Sequence, residues 1–323
     1  MNKYKFLFLS FLLIVTSFQC KKLMTKSEPA SFQISGKQGS FYEMAMSSNA
    51  EHFAVSLGDG RIGIYKKNGS FVKSINAHPK KYIHDLAVDP KNQYIVSAAK
   101  ENNIKMWKIN GSLYKVLRNA HKSEVTAVSF SKDGKHFFTG GDWSPIKMWS
   151  RSGSMIRSFG GNMEGVRAMD IDPNGEFIAV AGGLNDGKIR LFNFNGRLIR
   201  TFEGSSVGMN DIAVAPNGRY IAIISSPGSY VYVYNTSGKK FLGFNFGRKS
   251  VNKIIFSPNS KYIFAAGDKG YLYTLNLAEK SIDSTKVHSD KVIGIEKDSA
   301  NKNLYTASYD GSIKFWPISN FLK

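Results

Sequence analysis

The sequence predicts an all-β fold, a seven-bladed β-propeller of four-stranded antiparallel blades. Two periodic patterns predict it. The first is a strand core that returns at intervals of 40 to 43 residues. Its copies are Ile62-Gly63-Ile64-Tyr65, Ile104-Lys105-Met106-Trp107, Ile146-Lys147-Met148-Trp149, Ile189-Arg190-Leu191-Phe192, Val231-Tyr232-Val233-Tyr234, Tyr271-Leu272-Tyr273-Thr274 and Ile313-Lys314-Phe315-Trp316. The second keeps the same rhythm from Phe41, Ile83, Val125, Val166, Met209, Val251 and Val292. Two motifs locked in phase at a period near 42 mean one blade of short strands per repeat. A hydrophobic fraction of 42% with 21% charged residues fits a folded body and not a disordered chain.

The N-terminus is read apart from the repeats. Lys3 and Lys5 precede a mostly apolar run, Phe6 to Phe18. That run is too short to span a bilayer alone and fits the hydrophobic region of a secretory signal over residues 1–19. The single cysteine, Cys20, follows at once, and a lone thiol excludes a disulfide framework. Residues 20–30 then read as a tether and 31–323 as the propeller.

Within one repeat the strands follow from alternation and turn chemistry. Val125 to Phe130 alternates as a strand, and Ser131-Lys132-Asp133-Gly134 supplies turn residues. His136 to Thr139 is a second strand, broken by Gly140-Gly141-Asp142. Ile146 to Trp149 is a third, Arg151-Ser152-Gly153 turns again, and Met155 to Phe159 is a fourth. The last repeat meets Pro317 after Trp316, so little remains for its fourth strand. Ser31 to Gly36 reads as a strand and is expected to supply it, closing the ring and removing an open sheet edge.

At this point the chain resembles the WD-repeat propeller family. That family's repeat places a His before the first strand, a Ser or Thr in the second, an Asp in the next turn and a Trp closing the third. His288, Thr306, Asp310 and Trp316 match all four positions. His78, Ser97, Glu101 and Trp107 form a variant, and His121, Thr139 and Trp149 a set in which Trp143 stands where the turn Asp belongs. The resemblance implies that these residues are a structural hydrogen-bonded lock and not catalysts, and that the chain is a scaffold for protein partners. The placement of Cys20 resembles the lipobox of bacterial lipoproteins, although Thr16-Ser17-Phe18-Gln19 departs from its usual residues. It implies acylation at Cys20; an ordinary secretory signal is the alternative.

Catalytic signatures are weak. Gly58-Asp59-Gly60-Arg61-Ile62-Gly63 matches a dinucleotide pattern by letters but has no helix after it. Asp170-Ile171-Asp172 begins like a calcium loop, but position twelve is Ala181. No metal site, catalytic residue or cofactor is expected. His52 and His136 read as surface residues. Acids from several blades converging on the axis, as in lactonase-type propellers, would leave no linear motif.

Two surfaces are expected to matter. The resemblance puts partner contacts at the turn before the third strand and the start of the first. Here these are Tyr42, Tyr82, His84, Lys100, Trp143, Arg167 and Tyr309, with Glu124, Asp142, Asn185, Asn210, Asn252 and Lys291 beside them. Trp143 is either an interface anchor or a ring folded back over its own blade. The second surface is a basic rim, Lys73, Lys115, Arg157 and Arg200, in one register of four fourth strands. It either meets an anionic polymer or membrane or protects a sheet edge. The net charge of +20 becomes +18 once Lys3 and Lys5 leave with a signal. Charge of that size favours acidic partners without choosing among them. The expected molecule is a monomeric, non-enzymatic scaffold for a protein partner, lipid-anchored at a bacterial cell envelope. A binder of acidic glycan or anionic lipid, and a lactonase-type enzyme, are the alternatives; no specific nucleic acid is expected.

Overall fold

The computed structural model describes residues 30–33, 41–47 and 51–322, apart from the single positions 162, 184, 226 and 299. The predicted signal, Cys20 and most of the tether lie outside the described residues. Seven four-stranded antiparallel sheets form, and in six of them the strands follow chain order. The innermost strands are Phe41–Met46, Ile83–Val88, Val125–Phe130, Val166–Ile171, Met209–Val214, Val251–Phe256 and Val292–Lys297. The fold is the seven-bladed propeller that the two periods predict.

Each blade buries its faces against its neighbours. There are seven apolar clusters, and each joins two adjacent blades. Ile62 and Ile64 of blade 1, for example, meet Ile83, Leu86 and Ile95 of blade 2. The last interface sets Phe41, Phe53 and Tyr65 of blade 1 against Ile293, Tyr305 and Ile313 of blade 7, so apolar burial itself completes the ring.

The seventh sheet breaks chain order. Its outer strand is Ala30–Gln33, which pairs antiparallel with the third strand Ser312–Pro317, Ala30 opposite Phe315 and Gln33 opposite Ser312. The expected N-terminal closure strand is therefore present, beginning one residue earlier than Ser31 and described as far as Gln33. The other six blades take their fourth strands from the hairpin that follows the third.

The predicted locks form. His78 reaches Glu101 at 2.5 Å and Ser97 at 2.7 Å, and the Trp107 indole N–H donates to the same Ser97 hydroxyl at 3.1 Å. His288 bridges Asp310 at 3.2 Å and Thr306 at 2.8 Å, with Trp316 donating to Thr306 at 3.2 Å. Burial works against the Asp310 charge, but the bonds from His288, Ser312 and Ser289 hold its carboxyl well below the usual range. In the third set His121 and Trp149 both reach Thr139 at 2.8 Å, while His121 Nδ1 has no partner, as expected where no turn acid stands in place.

Candidate partner face and axial channel

The two ends of the propeller are chemically different. One carries the starts of the first strands and the turns between second and third strands. The other carries the turns between first and second and between third and fourth.

At the first end a continuous chain of side chains crosses four blades. The Tyr309 ring lies 5.3 Å from that of Tyr42, Tyr42 lies 5.4 Å from Tyr82, and Tyr82 lies 5.1 Å from His84. His84 Nε2 then meets Glu124 of blade 3 at 2.9 Å, and Lys100 reaches the same carboxylate at 3.7 Å. Burial pushes the Tyr82 hydroxyl up to about 12, with Glu43 adding to it, and raises that of Tyr309. Both phenols are therefore neutral donors at physiological pH. Five predicted contact residues are thus brought together around the mouth of the axis, and Lys100 joins them through Glu124. Arg167 also faces the axis.

Trp143 stands apart, on the turn between second and third strands of blade 3. Its ring is 65% exposed, so it does not fold back over its own blade. Its backbone is held: the Trp143 N–H donates to Glu164 O at 3.2 Å, and Asp142 bridges to Gly165, both in the segment leading into blade 4. The residue adopts φ +50, a left-handed conformation that costs a bulky side chain about 1–3 kcal/mol. A strained backbone thus presents an exposed indole.

The axis itself holds residues that no linear motif marks. First strands of all seven blades line a cavity of about 690 Å³. The third position of those strands reads Glu43, Asp85, Ala127, Ala168, Asp211, Lys253 and Gly294, and two positions further on stand Asp170 and Glu296. Lys253 Nζ lies 3.2 Å from Glu43 across the intervening seventh blade. Burial alone would lower the Lys253 ammonium, but Glu43, Asp211 and Asp85 together hold it well above its ordinary value. Burial raises Glu43 to about 8 and Asp85 and Asp170 to about 6 each.

Three of these acids join blades. Asp85 accepts the Val128 N–H at 2.8 Å, Asp170 that of Val214 at 2.8 Å, and Asp211 that of Ile254 at 2.9 Å, each donor one blade onward. Their carboxylates replace ladder partners that inner strands of adjacent blades cannot give each other. Glu296 is the exception: it is half-buried, raised by burial to about 8, and faces Lys253, Lys297, Asp170 and Asp85. Lys297 is turned to the Phe256 carbonyl at 3.1 Å. The acids of a lactonase-type axis are present, but among the described residues no group of three or more His, Cys, Asp or Glu is placed to hold a metal. The signal for Glu43, Asp85, Asp211 and Lys253 was a charge at an inward strand position filled by Ala or Gly in the other blades.

The basic rim is built differently from a row of free cations. Lys115 Nζ donates to the Gly153 carbonyl at 2.8 Å, and Arg157 Nη1 to that of Asn195 at 2.8 Å, each in the next blade's turn between third and fourth strands. Lys73 lies along Gly111 in the same relation, where an added Cβ would meet Lys73 Cδ at 2.7 Å. Two rim cations thus strap blade to blade, and the stem of Lys73 packs on the next blade's turn. Arg200 is exposed in the same register. His52 and His136 are half-buried and not plain surface residues; His52 Nδ1 pairs with Asn92 at 2.8 Å.

Two families match the sequence. The WD domain, G-beta repeat, matches residues 153–193 and 279–317. Each stretch begins in the turn before the fourth strand of one blade and ends at the close of the third strand of the next. The chain carries WD repeats. The family described as eukaryotic translation initiation factor eIF2A matches residues 15–163, which span the N-terminal segment and blades 1 to 3. No curated protein matches the chain. A WD-repeat propeller is consistent with a protein-interaction scaffold, and the offset of the repeat from the blade accounts for the closure of blade 7 by an N-terminal strand.

Proposed function

We propose that this WD-repeat propeller is a non-enzymatic scaffold that docks a protein partner on the end bearing Tyr42, Tyr82, His84, Tyr309 and Trp143. One observation carries the reading: Trp143 is a large ring exposed on a turn whose strained backbone is fixed by the neighbouring blade. An anchor held in place before binding loses little freedom on association, and Trp, Tyr and Arg dominate interface energies. The tyrosine row combines phenol donors with apolar ring faces, which suits a peptide or loop with carbonyl groups to satisfy.

The same reading places the scaffold at a cell envelope, tethered through Cys20. The apolar run Phe6 to Phe18 ahead of the one cysteine favours this over a role in translation, despite the similarity of residues 15–163 to the eIF2A family. Cys20→Ser is expected to abolish N-terminal acylation and move the protein to the soluble fraction, because each buried methylene contributes about 0.8 kcal/mol of anchoring. Mass spectrometry of the N-terminus and membrane fractionation test this; unchanged retention without lipid mass refutes the tether.

A further inference from the structure

The opposite end of the propeller repeats one surface pattern on five blades in a row. Directly after the turn between third and fourth strands, the fourth strands of blades 1 to 4 open with a large apolar residue, Phe71, Leu113, Met155 or Leu198, and in blade 5 Phe241 follows an opening Lys240. These are 53%, 52%, 56%, 47% and 49% exposed. In blades 2, 3 and 4 the next residue is apolar and exposed as well, namely Tyr114, Ile156 and Ile199. Single exposed apolar residues are ordinary on a soluble protein, but one register repeated over four successive blades, with Phe241 one place further on in the fifth, is a belt.

The belt is set in positive charge. Segments 66–75, 108–117, 150–159, 193–203 and 235–245 contain eleven Lys or Arg and one acid, Glu203. Blade 6 keeps an exposed apolar residue in that register, Ile282, but breaks the charge pattern, with Glu279 and Asp283 against Lys280 and Lys286 over 276–286. The strap bonds of Lys115 and Arg157 go to neutral carbonyls, so those charges are not cancelled.

A second observation comes from register. Ala30 sits opposite Phe315 as Lys115 sits opposite Met106, so the chain enters blade 7 at the end that carries the turns between third and fourth strands. The start of the closing strand and the belt therefore share one end of the molecule.

We propose that this end rests on an anionic lipid bilayer, with the apolar belt of blades 1 to 5 at the headgroup boundary and its cations on lipid phosphates. Large apolar side chains interleaved with Lys and Arg match such an interface, where each kind has a partner. A hydrated acidic polymer would use the cations and leave the apolar residues without a role.

The test uses the full chain on two kinds of vesicle, phosphatidylcholine alone and phosphatidylcholine mixed with phosphatidylglycerol. Amide hydrogen exchange is then read along the chain. On anionic vesicles the fourth strands of blades 1 to 5 are expected to slow by about tenfold, less at high salt, while the turn at Trp143 is unchanged. The variant L113S/M155S/L198S loses that protection at an unchanged melting temperature; if it melts early, Ile199→Ser alone serves the same purpose. Three results overturn the proposal. One is attachment with solution-like exchange in these strands, which leaves only a tether. Another is equal protection on neutral vesicles. The last is equal protection of wild type and variant by dextran sulfate, which makes the surface a polyelectrolyte site.

Discussion

Trp143 and Trp316 show how position decides what one residue type does. Trp316 is buried, meets the Phe321 ring edge to face and ends the His288–Thr306 lock; Trp143 is exposed and held by backbone alone. Trp316→Ala is expected to destabilise the protein by about 3–5 kcal/mol, through lost packing and an interrupted hydrogen-bond chain. Trp143→Ala is expected to leave the melting curve in place and weaken partner binding by about 2 kcal/mol. Calorimetric melting and titration of both variants separate the two. A melt lowered by Trp143→Ala, with the affinity of the folded fraction intact, contradicts the partner face. Glu296 gives a second prediction at this scale. Burial raises its carboxyl from near 4.5 to about 8, with Lys253 and Lys297 opposing and Asp170 and Asp85 reinforcing. The folded protein thus keeps a proton that the unfolded chain releases. The stability that this group contributes is fully present below about pH 4.5 and is lost as pH rises toward 8. Glu296→Gln should remove about 1–2 kcal/mol of that decline, seen as a flatter plot of melting temperature against pH. An unchanged slope means that channel water keeps the group near its ordinary value. The locks were legible in sequence because their four residue types have fixed spacings. The axial charges were not, because each comes from a different blade and only closure of the ring brings them together.

At the scale of strands, the turn and alternation signals were enough to place every blade, and the missing fourth strand of blade 7 was read from Pro317 ending the third. What alternation does not show is how neighbouring edges are joined. That is done by Asp85, Asp170 and Asp211 at the inner strands and by Lys115 and Arg157 across the outer turns. These rim cations read in sequence as one row that either meets an anionic partner or protects a sheet edge; the structure ties two of them, Lys115 and Arg157, to the next blade. The closing strand Ala30–Gln33 covers the free edge of Ser312–Pro317. Deleting 30–33 should leave the apolar contact of blades 7 and 1 but expose that edge. The expected outcome is a lower unfolding midpoint and concentration-dependent association in analytical ultracentrifugation. A truncation that stays monomeric and equally stable contradicts closure by this strand.

For the whole molecule, the account assigns opposite tasks to opposite ends. Aromatic rings, His84 and Trp143 lie at one end, and the apolar and cationic belt lies with the chain entry at the other. Such a polarity suits a tethered propeller that presents one face away from its membrane. Five blades contribute to the belt and four to the aromatic face, so neither surface exists until the ring has closed. The central claim is that the aromatic end binds a protein. Photo-crosslinking in native membranes, from an unnatural residue at position 143, 82 or 156, tests it most directly. The account predicts one protein adduct of defined mass from 143 and from 82, lost on Tyr309→Ala, and none from 156. A protein adduct from 156 alone, or none from the aromatic end, would contradict it.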